Sequence, residues 1–192
     1  MRKAVFERTT NETCVKIEVN LDKNEGGFIR TGIAFFDHML QLFAFRAAIT
    51  LDVVCDGDLS VDGHHTVEDV GIGLGQALAK ALGDKRGINR YGSAAIPMDE
   101  SLANCVLDIS GRSFLVFNAS FQTERIGQFE TELVEEFFRA LAHNAGITLH
   151  INLLYGKNTH HMIEAIFKAF GCALRQAVRV TGEEIPSTKG VL

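Results

Sequence analysis

One short pattern occurs twice: His-His-x-x-Glu reads as His64-His65-Thr66-Val67-Glu68 and again as His160-His161-Met162-Ile163-Glu164. Setting His64 on His160 aligns the downstream residues without a gap, so that Gln76-Ala77-Leu78-Ala79-Lys80-Ala81 lies on Cys172-Ala173-Leu174-Arg175-Gln176-Ala177. Upstream, Asp37-His38-Met39-Leu40 lies on Glu135-Glu136-Phe137-Phe138, and Ile49-Thr50-Leu51 meets Ile147-Thr148-Leu149. Self-similarity at this period means that one supersecondary unit has been used twice. The chain is expected to fold as two pseudo-repeats, approximately residues 1–92 and 93–192, packed as a single domain.

Both copies of the pattern open a segment that reads as a helix. Residues three and four apart share a helix face, so the spacing pairs His65 with Glu68 and His161 with Glu164, each pair able to bite one ion. The first histidine of each pair sits about 100° round the helix and must reach elsewhere. The duplication also sets His38 on Glu136, both of residue types that bind metals. A single copy is as easily a chance pair of exposed histidines; a matched second copy makes chance a poor account. The expectation is two metals held between two repeats.

Composition narrows the class. Formal net charge is −5 and the Lys and Arg residues form no dense run, which disfavours a nucleic-acid partner. Met1 to Thr10 has no apolar stretch of signal-peptide type, and no window approaches the length of a membrane span. A cytoplasmic location is expected, with no membrane partner. Cys14, Cys55, Cys105 and Cys172 lie far apart with no C-x-x-C pair and read as free packing thiols. The metal site is therefore built from nitrogen and oxygen, a donor set suited to zinc, manganese, iron or nickel. Three His and one Glu on a six-coordinate ion would leave open positions, as catalytic metals do.

Thr13 to Leu21 alternates around Val15, Ile17 and Val19, which predicts a strand. Asn24-Glu25-Gly26-Gly27 predicts a turn. Phe35 to Phe45 predicts a helix, Ala48 to Cys55 a strand, and His64 to Gly83 a second helix. Ser101 to Ile109 and Ser113 to Ala119 read as strands paired around Ser110-Gly111-Arg112, before a helix–strand–helix set from Thr131 to about Val180. The order strand–helix–strand–helix, twice, predicts an α+β fold of internally duplicated half-domains, each a mixed or antiparallel sheet with helices packed on one face. Gly71, Gly73 and Gly75 do not make a dinucleotide loop, since the spacing is wrong and no strand leads into them. They predict close packing of that helix. Arg90, Arg112, Lys168 (seven residues past His161) and the tail residues Ser187 and Lys189 are candidates for a phosphate clamp.

Several of these segments together resemble the imidazoleglycerol-phosphate dehydratase family. They are Phe36-Asp37-His38-Met39-Leu40, Asp62-Gly63-His64-His65-Thr66-Val67-Glu68-Asp69, Pro97-Met98-Asp99-Glu100, Ser110-Gly111-Arg112, the stretch from His160 to Phe170, and Pro186-Ser187-Thr188-Lys189-Gly190. The likeness runs from about Arg8 to Leu192. It implies dehydration of an imidazole-glycerol phosphate to an imidazole-acetol phosphate in histidine biosynthesis, two manganese ions per active site, and a cytoplasmic homo-24-mer with sites at subunit interfaces. One ion on each ring nitrogen of the substrate would supply the electron sink that a carbon lacking a neighbouring carbonyl needs.

The family pattern assigns His38, His65, Glu68 and His160 to one ion, and His64, His161 and Glu164 to the other. The fourth ligand of the second ion is usually a histidine just before Phe-Phe; here that position is Glu136, with His150 as the fallback. Glu12 matches the family's acid–base glutamate. Arg90, Arg112, Lys168, Ser187 and Lys189 would hold the phosphate, joined by Arg46, which stands where many relatives have a histidine. Asp69 and Asp99 are read as supporting or structural, and His143 as structural or exposed. The alternative activity is a dinuclear metal-dependent phosphate-ester hydrolase, and the non-enzymatic one a scaffold held together by its ions.

Overall fold

The alternation around Val15, Ile17 and Val19 buries those three residues and leaves Cys14 and Lys16 in solvent, the mark of a strand with one wet face. In the computed structural model, which describes residues 1–192, this strand, Thr13–Asn20 (β2), forms an antiparallel hairpin with Lys3–Thr9 (β1). Ile29–Arg30 (β3), the helix Ala34–Ala47 (α1), Thr50–Gly57 (β4) and the helix His64–Leu82 (α2) complete the first half. The second half repeats the order. Tyr91–Met98 (β5), Ser101–Asp108 (β6) and Phe114–Asn118 (β7) come first, then a two-stranded ribbon of Arg125–Ile126 (β8) and Phe129–Glu130 (β9). The helix Leu133–Ala145 (α3), Thr148–Tyr155 (β10) and the helix Thr159–Ala177 (α4) complete it.

The two main sheets share one topology. The first runs β1-β2-β4-β3 and the second β5-β6-β10-β7, each antiparallel except for its last, parallel pair. The fold is α+β, with two similar sheet-plus-helix halves. Two details depart from the sequence expectation. Each half has more strands than the strand–helix–strand–helix order foresaw, and β6 and β7 are not partners, because β10 lies between them. The Ser110-Gly111-Arg112 turn does not close a hairpin. The Ser110 hydroxyl donates to the Arg112 carbonyl at 3.2 Å, and Thr148 at the head of β10 donates to the same oxygen at 3.1 Å. The buried Leu149 and Ile151 make β10 a central strand, and β7 takes its outer edge.

Helices pair across the halves. α1 packs on α4 and α2 on α3, while α2 lies on the first sheet and α4 on the second. Phenylalanines fill the junctions: Phe43 stacks on Phe170 at 5.1 Å, and Phe36 meets Phe137 edge-on at 5.3 Å. Burying each such ring contributes about 1.5–3 kcal/mol, and all four are essentially inaccessible. One hydrophobic cluster spans both halves.

Close approach explains the helix glycines. A Cβ at Gly75 would stand 2.6 Å from the Leu141 carbonyl oxygen, and one at the equivalent Gly171 would stand 2.7 Å from that of Phe43. The helices therefore touch backbone to backbone at matched places in the two repeats. Gly75→Ala should cost about 1–3 kcal/mol by overpacking, read as a lower urea midpoint with unchanged slope. No helix is long and apolar enough to cross a membrane.

Candidate metal centres

Side chains just upstream hold the first turns of α2 and α4, where the histidine pairs sit; only that of α4, Asn158, is an N-cap. The Asp62 carboxylate accepts from the His64 N–H at 2.8 Å, and the Asn158 side chain accepts from His160 and His161 at 2.9 and 3.4 Å. Each pair thus sits in the first turn with its backbone held.

Two clusters of donors result. His38 on α1 meets His160 and Glu164 on α4, and Glu136 on α3 meets His64 and Glu68 on α2. Within each group one donor atom per residue lies within 4.8 Å of the others, the scale set by metal–ligand bonds of about 2.0–2.2 Å. Each cluster draws on both halves and on one cross-half helix pair. None of the four cysteines belongs to either; Cys55 is buried, and that burial pushes its thiol up to about 12. The donor set, imidazole and carboxylate without thiolate, fits a divalent ion of the manganese-to-zinc series.

The pairing differs from the one predicted. The histidine beside each glutamate is the first of its pair, one turn away at i+4: His160 Nε2 lies 3.3 Å from Glu164 Oε2, and His64 shares its cluster with Glu68. Consequently Glu68 and Glu164 exchange places relative to the ligand sets that the family pattern gave, Glu68 standing with His64 and Glu164 with His38 and His160. The second histidines turn away from these groups, toward other carboxylates. His65 Nδ1 lies 3.0 Å from Asp58 and its Nε2 3.8 Å from Glu12, while His161 Nδ1 lies 2.8 Å from Glu100 and its Nε2 3.9 Å from Asp99. A carboxylate on Nδ1 fixes the ring and leaves Nε2 as the ligating nitrogen. Spacing alone could not choose between i+3 and i+4, because both share a face.

Asp58 lies in no motif that sequence reasoning singled out, and Glu100 stood inside Pro97-Met98-Asp99-Glu100 without being given a role. The signal for Glu100 was topological: Glu12 sits in the β1–β2 turn and Asp99-Glu100 in the equivalent β5–β6 turn, each facing the second histidine of a pair. Glu100 also accepts from the Lys157 and Asn158 N–H groups at 3.2 and 2.7 Å. The bond to His161, together with these backbone donors, holds the Glu100 carboxyl well below the usual carboxylate range. The same bond raises His161, and the Asp58 bond raises His65. The raised histidine stabilises the metal-free fold below its unfolded value of 6.5 and loses that contribution as pH rises through its folded value. The depressed Glu100 contributes above its unfolded value of 4.5 and loses it only in stronger acid. Glu100→Gln should therefore lower the melting temperature of metal-free protein more near pH 6, where His161 is charged, than near pH 9, where only the bonds to the Lys157 and Asn158 N–H groups remain.

Burial works to raise Glu164, but the Lys168 ammonium 2.5 Å away, with His160 and His38 near, outweighs it and keeps the carboxyl low. Lys168 is the one clamp candidate in contact with a metal cluster. Arg90, Arg112, Ser187 and Lys189 gather far from it. The Arg90 N–H donates to the carbonyl of Ala177, the last residue of α4, and its guanidinium pairs with Asp108 at 2.7 and 3.1 Å and with the Pro186 carbonyl at 2.9 Å. α4 has 19 residues, about 28 Å at 1.5 Å each, and His160 is at its other end. Arg46 lies in the last turn of α1 with its guanidinium 5.5 Å over the Phe45 ring. His150 sits mid-strand opposite Val106 and Val116, in neither cluster. His143 lies 3.3 Å from the Ser113 hydroxyl. Asp69 is buried, held by Arg8 at 3.0 Å and by the Thr13 hydroxyl.

Residues 31–174 match the family model described as imidazoleglycerol-phosphate dehydratase. Imidazoleglycerol-phosphate dehydratases from Listeria welshimeri and Streptococcus mutans are each 58% identical to the chain, over all of it and all of their own length. Among solved structures, the enzyme of that name from Staphylococcus aureus superposes with a TM-score of 0.85 at 47% identity, covering 93% of this chain and 99% of its own. The Pyrococcus furiosus structure gives 0.85 at 37%, covering 97% and 100%.

Proposed function

The chain belongs to the imidazoleglycerol-phosphate dehydratase family, and from that premise we propose which of its residues carry the family's reaction. The activity is loss of water from D-erythro-1-(imidazol-4-yl)glycerol 3-phosphate to give 3-(imidazol-4-yl)-2-oxopropyl phosphate, a lyase step of histidine biosynthesis. The observation that carries the assignment of residues is the pair of three-donor clusters, one per cross-half helix pair.

His38, His160 and Glu164 would hold one manganese ion, and His64, Glu68 and Glu136 the other. When bound, the ions would supply Lewis acidity to the imidazole ring of the substrate. His65 and His161 belong to neither of their own chain's clusters and hold Nδ1 on a carboxylate, so each would complete a site on a neighbouring copy through Nε2: His65 the first ion, His161 the second. Glu12, 3.8 Å from His65 Nε2, would move a proton at the reacting carbons. Arg112, Ser187 and Lys189 would bind phosphate, with Arg90 anchoring the tail through Pro186. Because these lie a helix length from the same chain's clusters, each site would combine metal ligands of one subunit with the clamp of another, with Lys168 and Arg46 on the metal side. A cytoplasmic homo-24-mer with sites between subunits accommodates this.

The test uses chelator-stripped protein with manganese added back, with ketone product and free phosphate measured together. Metal-restored ketone without phosphate is the expected result. Free phosphate would move the hydrolase reading to first place, and neither product would leave the scaffold. Stripping should also break the assembly into smaller species; a metal-free particle of unchanged mass would sink the idea that the ions bridge subunits.

A further inference from the structure

The two clusters are duplicates by position but not by chemistry. The one on α1 and α4 offers two imidazoles and one carboxylate; the one on α2 and α3 offers one imidazole and two carboxylates. The difference arises at one aligned position, His38 against Glu136. Resting on the reading of these clusters as metal sites, we propose that the two sites differ in ion preference. The Glu136 cluster takes hard, oxygen-seeking cations such as magnesium and calcium alongside manganese, and the His38 cluster rejects them.

Neighbouring charges reinforce the difference. Glu164 is the sole carboxylate of the His38 cluster, and the Lys168 ammonium sits 2.5 Å from it with only 13% of its side chain exposed. That lysine has little room to withdraw, so the cluster is close to neutral before an ion enters. At the other cluster Arg139 bonds Glu136, but it divides itself between Glu136 and Glu135 and its side chain is 54% exposed. Two acids against one arginine, with Glu68 added, leave that cluster strongly negative. Solvent also screens Arg139 more than it screens Lys168.

Hard cations bind through charge and oxygen, and gain little from imidazole; manganese and its later neighbours accept imidazole nitrogen readily. Any histidine a neighbouring subunit adds is the same for both sites and does not cancel the difference. Magnesium should therefore compete with manganese at one site per chain and not at the other.

The probe is manganese itself, monitored by the paramagnetic resonance of the free ion as it is titrated into chelator-stripped protein with and without millimolar magnesium. About two ions per chain are expected. Magnesium should weaken one class about tenfold or more and the other less than twofold. Glu136→His should abolish the magnesium-sensitive class, and His38→Glu should make both classes sensitive. Two manganese ions displaced in parallel, or a Glu136→His protein that behaves like the parent, would overturn the inference while leaving the dehydratase reading intact. Absence of manganese binding would overturn both, and ketone formation by the manganese-restored protein separates those cases.

Discussion

Glu12→Gln should lower turnover about 10²–10⁴-fold, the range for losing a positioned general acid or base, while substrate binding and metal content stay near those of the parent. The residue is well placed for so clean a result. It sits in the turn between β1 and β2 with its side chain 56% exposed. Its backbone alone serves the fold: the N–H donates to the Thr10 hydroxyl at 3.1 Å, and the carbonyl accepts from the Asp58 N–H at 3.1 Å. Glutamine keeps the shape and both bonds, so a lost rate cannot be ascribed to a lost hairpin. What glutamine cannot do is exchange a proton, and dehydration needs two transfers: one proton leaves a carbon, and one joins the departing hydroxyl. The expected pattern is a fall in kcat with KM little changed. A kcat within a few-fold of the parent would remove Glu12 from the chemistry.

Two inactive variants mixed together should regain activity. His38→Ala removes a proposed metal ligand, and Arg112→Ala a proposed clamp residue; both side chains are exposed, and neither makes a side-chain hydrogen bond within the chain. Each alone should be depressed at least about a hundredfold, as expected for a lost metal ligand or for a lost charge contact to phosphate. If a site combines the metal side of one chain with the clamp of another, an equimolar mixture pairs intact halves at about a quarter of its sites. Stripping, mixing and restoring manganese should then bring back about that fraction of the parent rate. A mixture as inactive as its components would place both functions in one chain. The helix-length separation of Arg90 from His160 makes that outcome hard to reconcile with a small substrate.

The parts of the fold that were legible in sequence are the buried ones. Val15, Ile17 and Val19 declared β2 because their burial imposes a period of two, and the helices declared themselves through apolar stretches and matched repeats. Of the missed strands, β1, β3 and β5 are edges of the two main sheets, and β8 and β9 form a separate two-stranded ribbon. β1 buries only Ala4, and β5 is made of small residues with a proline near its end, so neither carried alternation to read. Pairing β6 with β7 failed for a related reason: neighbours in sequence were assumed to be neighbours in space, whereas β10 has the apolar side chains a central position demands. At the site, the duplication led to Glu136 by aligning it with His38. It could not reveal that i+4 rather than i+3 holds each pair, since that depends on the rotamers that Asp58 and Glu100 impose on His65 and His161. Nor could it show that Arg90 is already engaged by Asp108.

The cross-half pairing of helices bears on how such a chain arose. α1 has its partner in the other repeat, and so has α3; each donor cluster is likewise shared between repeats. A half-length ancestor would have left both helices without a covering surface and each ion with too few ligands. It could have worked only as a twofold dimer, with two identical sites related by the axis. Within one chain the two clusters need not match, and His38 and Glu136, aligned between the repeats, are free to differ.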